Sequence, residues 1–225
     1  MADAPALDAG QLLVALARHE VDYVLIGGMA LQAYGHVRTT QDLDVIAAWT
    51  PANMRRLAGA LGELGARLRG VDADLLGIDL TDPEQLYDGG NFLLRSEHGD
   101  LDVFAVEQTA GAPRSYEQLR ARAVAIELLG VRILVAHPED MIRMKSAAAQ
   151  FRDRPEAKRR QDLDDIAVLE RLRGEQHASD AVRLAGIGQA HSVTDALGAE
   201  KTIEPRAREP RGARRAGKRP RKGRT

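Results

Sequence analysis

The chain has 225 residues, the span of one domain with appendages, and 44% of them are hydrophobic, enough for an ordinary core. It has no cysteine, which excludes disulfides and thiolate metal sites. Net charge is −1, but residues 205–225 hold ten Lys or Arg against one acid, so a tail of +9 follows a body of −10. "MADAPALDAG" lacks the basic start and apolar block of a signal peptide, and no run of about 18 apolar residues occurs. The expectation is a cytoplasmic chain without a membrane contact.

"DAGQLLVALARHE" spaces Leu12, Leu13, Leu16 and Ala17 at helical intervals behind Asp8 as N-cap. "VDYVLIG" (21–27) is a β-branched run of strand type, broken by Gly27-Gly28, and "MALQAYG" reads as two helical turns. "DLDVIAAW" is the second strand. Pro51 sits where a first helical turn tolerates it, ahead of the helical period of "ANMRRLAGALGEL". "LLGIDL" (75–80) is a further strand candidate. "NFLLRSEHGDLDVFAV" reads as two strands joined at Ser96–Gly99, and "AVAIELLGVRILVA" as a hairpin turning at Gly130. "HPEDMIRMKSAAAQF" opens a helix at Pro138. "PEAKRRQDLDDIAVLERL" continues with another, its apolar stripe set at Leu163, Ile166, Leu169 and Leu172. "SDAVRLAGIG" and "VTDALGA" suggest two short helices, and the Arg-, Lys-, Gly- and Pro-rich end is expected to be disordered. The expected fold class is α/β (α+β), a mixed sheet flanked by helices over 1–136. A helical cap over 137–174, a linker over 175–204 and a basic tail over 205–225 would follow.

Residues two apart on a strand share a face, so Asp42 and Asp44 project side by side. Adjacent buried carboxylates repel and need a positive partner. The hard, oxygen-seeking candidate is Mg²⁺, which takes one or two carboxylates together with substrate phosphates. A third acid from "GDLDVFAV" would complete a two-metal site: Asp102, with Asp100 on the same face as the alternative. Gly27-Gly28 ends one strand and opens a helix, a place where backbone N–H groups can meet a phosphate.

The order "IGG", thirteen residues, "DLDVI" and a later "LDV" resembles the nucleotidyltransferases of the DNA polymerase β superfamily. "GHVRTTQDLDV" and "HPEDMIRMKSAA…RRQDLDDI" are similar to the small bacterial AbiEii-like and MenA-like abortive-infection or toxin–antitoxin proteins, over about residues 10–173. The resemblance implies a nucleotidyltransferase fold and transfer of an NMP from an NTP to an acceptor hydroxyl, on a tRNA 3′ end or a protein. It implies a metal set of Asp42, Asp44 and Asp102, holding two Mg²⁺ ions or Mn²⁺ in their place. It implies a phosphate-binding turn at Gly27 and Gly28, a phosphate-side lysine at Lys145, and a cleft-facing acid at Asp162. Arg38 would reach a phosphate or hold Asp44, and an antitoxin protein would be a partner. Met29 departs from the pattern by offering no hydroxyl after the glycines, and Gln41 by standing where an apolar residue is usual.

Plainer readings stand beside these. Asp162 could pair on the helix surface with Lys158 four residues back, and surface roles are favoured for Asp164 and Asp165. Trp49 and Tyr23 read as core, His36 and His98 as surface. The tail reads as a solubilising extension or, slightly favoured, as a non-specific contact to nucleic-acid phosphates. The alternative function is an inactive binding or regulatory module on the same fold, contacting nucleic acid through that tail.

Overall fold

The computed structural model describes residues 5–70 and 76–174. The two short helices expected after Gly174 and the basic tail lie outside the described residues. Among the described residues, fourteen segments follow in the order α1 (Ala9–Arg18), β1 (Tyr23–Ile26), α2 (Gly27–Ala33), β2 (Asp42–Ala47), α3 (Pro51–Glu63), β3 (Arg67–Leu68), α4 (Pro83–Asp88), β4 (Phe92–Ser96), β5 (Gly99–Phe104), α5 (Tyr116–Arg122), β6 (Val124–Leu128), β7 (Val131–Val135), α6 (Pro138–Ala149) and α7, a helix over 156–174. A short 3₁₀ turn at Val106–Gln108 follows β5.

The strands form one seven-stranded mixed sheet in the order β3-β4-β5-β2-β1-β7-β6. Two parallel pairings, β2 with β5 and β1 with β7, lie at its centre, and the other neighbours are antiparallel. All four residues of β1 are buried, as a central strand covered on both faces requires. The core gathers Leu12, Leu13 and Leu16 of α1, Leu25 of β1, Ile46 of β2 and Met54, Leu57 and Leu61 of α3, all with negligible exposure. Burying one such side chain is worth about 1.5–3 kcal/mol.

Helix starts follow their caps. The side chains of Asp8, Thr50, Asp82 and Ser115 accept hydrogen bonds from backbone N–H groups in the first turns of α1, α3, α4 and α5. The two hairpins form as expected, one across Ser96–Gly99 and one at Leu129-Gly130. Both Leu129 and Gly130 have positive φ, 51° and 78°, the conformation of a two-residue hairpin turn.

Three expectations are corrected. "LLGIDL" has no strand over 76–80. That stretch leads instead into a turn in which Asp79 accepts from the backbone N–H and the hydroxyl of Thr81. The strand that does form nearby is β3, too short for a periodic signal. Ala15, not Ala17, completes the buried stripe of α1. On α7, Leu163 is 56% exposed, whereas Asp162, Asp165 and Leu169 face inward. The inward face of α7 thus begins with paired carboxylates rather than leucines.

Candidate active site

The parallel pairing of β2 and β5 sets Asp42 beside Asp100 and Asp44 beside Asp102. Leu43 and Leu101, between them, point to the opposite face and are buried in the core. Four carboxylates therefore share one face of two adjacent strands, an arrangement that repels unless cations intervene. Arg69 and Arg95 neutralise Asp100: Arg69 Nη1 donates to it at 2.6 Å and Arg95 Nε at 2.8 Å. That commitment removes Asp100 as the third acid. The other three, Asp42, Asp44 and Asp102, each bring a carboxylate oxygen within 4.8 Å of one another.

Asp44 is the electrostatic centre. Burial, and then the charges of Asp42 and Asp102, push its carboxyl up to about 7, against the partial relief of Lys145 and Lys158. Burial likewise pushes Asp102 up to about 6, although Arg69 pulls it down. Three oxygens this close, with two of them reluctant to ionise together, fit a divalent cation by charge and by donor chemistry. All the donors are hard oxygens of the kind that Mg²⁺ or Mn²⁺ accepts.

Gly27 lies against this group because Ile26 pairs with Asp44 across β1 and β2. Its φ is +67°, and a Cβ there would fall 1.9 Å from Asp44 Oδ2. Only glycine allows both the left-handed turn and the contact. A Cβ on Gly28 would fall 2.5 Å from Thr40 Oγ1 and 3.1 Å from Arg38 Nη2. The turn is thus flanked by a carboxylate on one side and by a hydroxyl and a guanidinium on the other. Thr40 Oγ1 also donates to Asp42 Oδ1 at 3.2 Å.

The cap closes over this floor through ion pairs. Lys145 of α6 lies 2.6 Å from Asp165 and 3.4 Å from Asp162. Arg154 binds Asp162 at 2.5 Å. Arg38 bonds Asp165 and does not hold Asp44, which corrects one of its two expected roles. Asp162 is buried and faces Lys145, so its pairing with Lys158 on the helix surface does not occur. Asp164 is exposed as expected, but Asp165 is 3% exposed and belongs to the cluster. A cleft of about 460 Å³ runs between residues 38–42 and the first turns of α7, lined by Arg38, Thr40, Asp42, Lys158, Arg160 and Gln161.

The structure therefore brings together Asp42, Asp44, Asp102, Gly27, Gly28, Arg38, Lys145 and Asp162. The sequence reading missed Asp165, Thr40 and Arg69. Asp165 had a signal: it falls three residues after Asp162, on the same side of the helix. Arg69 had none, since only sheet pairing carries it to Asp102. Trp49 stacks on Phe92 with ring centroids 6.1 Å apart, and Tyr23 is buried, both consistent with core roles.

A family model described as "Nucleotidyl transferase AbiEii toxin, Type IV TA system" matches residues 11–221. The chain belongs to the AbiEii nucleotidyltransferase toxin family. It is by membership a nucleotidyltransferase of a toxin–antitoxin family. A comparison with curated proteins found no match. Among solved structures, similarity extends to the antibiotic-resistance factor ANT(2'')-Ia in solution, with 18% identity over 82% of this chain and 95% of that one and a TM-score of 0.41. A crystal structure of ANT(2")-Ia with adenylyl-2"-tobramycin gives 16% identity over 75% and 96%, with a TM-score of 0.44. An antigenic nucleotidyltransferase-like protein from Paracoccidioides brasiliensis gives 18% identity over 74% and 78%, with a TM-score of 0.43. No helix among the described residues is long and apolar enough to cross a membrane.

Proposed function

We propose that this AbiEii-family chain transfers an NMP from an NTP to an acceptor hydroxyl, on a tRNA 3′ end or on a protein Ser, Thr or Tyr. The acceptor oxygen forms a bond to the α-phosphorus as the bond to the β-phosphate oxygen breaks, and pyrophosphate leaves. The observation that carries this reading is the convergence of Asp42, Asp44 and Asp102 beside the Gly27 turn. Asp42 and Asp44 would hold two Mg²⁺ ions, or Mn²⁺ in their place, with Asp102 holding the one nearer the acceptor. The bound ions would supply charge neutralisation for the phosphates and a more acidic acceptor hydroxyl.

The chain's own groups do the rest. Gly27 and Gly28 leave room for a phosphate against backbone N–H groups. Lys145 and Arg38, already fixed by Asp162 and Asp165, would serve as the phosphate partners. Fixing these cations before substrate arrives lowers the cost of ordering them during the reaction. Asp102 takes the acceptor proton and passes it to solvent. The triphosphate thereby meets positive charge from the cap and the α-phosphorus meets the acids of the sheet. An antitoxin protein is the partner that family membership supports, and the +9 tail offers a salt-sensitive handle for an RNA acceptor.

The test is incubation with each of four α-labelled NTPs, Mg²⁺, and total RNA or cell protein. Label should enter one acceptor class, and Asp44→Ala should remove it without unfolding the chain. Absence of transfer to RNA and to protein with all four NTPs overturns the reading.

A further inference from the structure

Arg69, the residue after β3, is the one described cation in ion-pair contact with a member of the Asp42/Asp44/Asp102 group. Its Nη2 donates to Asp102 Oδ1 at 2.5 Å while Nη1 donates to Asp100 Oδ2 at 2.6 Å. Its backbone N–H donates to Leu93 O at 2.8 Å, which anchors the residue to β4. Leu93 in turn stands opposite Asp102 in the β4–β5 register. The side chain is 25% exposed, so the guanidinium lies along the rim of the site rather than free in solvent.

A purely structural ion pair would not need this arrangement. Arg95 already satisfies Asp100, with Nε on Oδ1 at 2.8 Å and Nη2 on Oδ2 at 3.2 Å. Arg69 instead spends one arm of its planar fork on each acid, and Asp100 acts as the anchor that aims the other arm at Asp102. One oxygen of Asp102 is held by this bond and the other remains for the shared face with Asp42 and Asp44. The planar fork, held by Asp100, fixes the direction from which Nη2 meets Asp102 Oδ1, which a lysine, as a point charge, does not.

We propose that Arg69 is the positioning residue of the third acid, orienting Asp102 for single-oxygen ligation while its charge opposes cation binding there. This inference rests on the metal reading given above. Arg69 limits how tightly the three acids hold a divalent ion and keeps the acceptor-side carboxylate aimed. Removing it separates the two effects: the ion binds more tightly, and turnover falls because Asp102 loses its direction.

The experiment uses the full chain and Mn²⁺ as the probe, without nucleotide, with free Mn²⁺ followed by electron paramagnetic resonance. Circular dichroism melts check folding of each variant. Arg69→Met should bind Mn²⁺ about tenfold more tightly, because a unit positive charge a few ångströms from a divalent ion is lost. Its kcat at saturating Mg²⁺ should fall by about tenfold or more. Arg69→Lys keeps the charge and loses the fork, so Mn²⁺ affinity should stay within about twofold of the unmodified chain while kcat remains low. If a folded Arg69→Met binds Mn²⁺ equally or less tightly, or if Arg69→Lys matches the unmodified chain in kcat, the inference is wrong and Arg69 only ties β3 to β5. Asp44→Asn separates the two readings. If it leaves Mn²⁺ binding intact, the metal site itself fails and takes this inference with it. If it abolishes binding while Arg69→Met changes nothing, Arg69 alone has been misread.

Discussion

Replacing Asp44 by Asn should make the metal-free protein more stable and inactive. The reason is the rise of the Asp44 carboxyl from its ordinary 3.8 to about 7, caused first by burial and then by Asp42 and Asp102. A group harder to ionise in the folded state penalises folding once pH passes its ordinary value. The penalty is complete above the folded value and vanishes at pH below both. At pH 8 its upper bound is about 4 kcal/mol, and at pH 5 it is under about 2 kcal/mol. Relaxation and residual solvent reduce these figures, so Asp44→Asn should gain about 2 kcal/mol at pH 8 and under about 1 kcal/mol at pH 5. For a domain of this size that is a rise in Tm of about 4–8 °C at pH 8. The assay is thermal and urea denaturation with a chelator at both pH values, for the variant and the unmodified chain. Added Mg²⁺ should stabilise the unmodified chain more at pH 8 than at pH 5, and should barely move the variant. A variant that is destabilised, or stabilised equally at the two pH values, would refute the claim that burial and the neighbouring acids make the Asp44 charge costly in the fold.

Gly27→Ala should lose most activity and about 2 kcal/mol of stability, since its Cβ meets Asp44 Oδ2 at a left-handed φ, whereas Gly28→Ala meets the movable Thr40 side chain and should cost less. Label transfer and urea midpoints of the two variants check the ranking. Lys145→Met should abolish transfer and destabilise by about 1–3 kcal/mol, because Asp162 and Asp165 keep only Arg154 and Arg38 as partners. Equilibrium unfolding beside the transfer assay checks both parts. Leu129→Asn relieves a left-handed Leu at an exposed turn, and should add about 0.5–1 kcal/mol with activity unchanged, read from the urea midpoint.

The site was legible where it rests on local periodicity. A two-residue period places Asp42 and Asp44 on one face whatever surrounds them, and a Gly-Gly break between a strand and a helical pattern marks the turn. The choice between Asp102 and Asp100 was not local. Both share a face of β5, and what separates them is Arg95 of β4, which binds Asp100 alone, whereas Arg69, the residue after β3, reaches both. The stripe on α7 misled for a related reason. Its hydrophobic pattern points one way, yet Asp162 and Asp165 turn inward because Lys145, Arg154 and Arg38 offset their burial. Charge pairing of this kind leaves no mark in a hydropathy pattern.

The amino-acid order by itself determined the elements long enough to show a period, their caps, and the pairing of two carboxylates on a single strand face. These depend on dihedral preferences and side-chain spacing within a few residues. Only the tertiary structure decided which third acid joins them, which cations stand guard, and which side of the last helix faces the cleft. Those outcomes depend on Coulomb and desolvation energies between groups far apart along the chain, and the fold alone sets those distances.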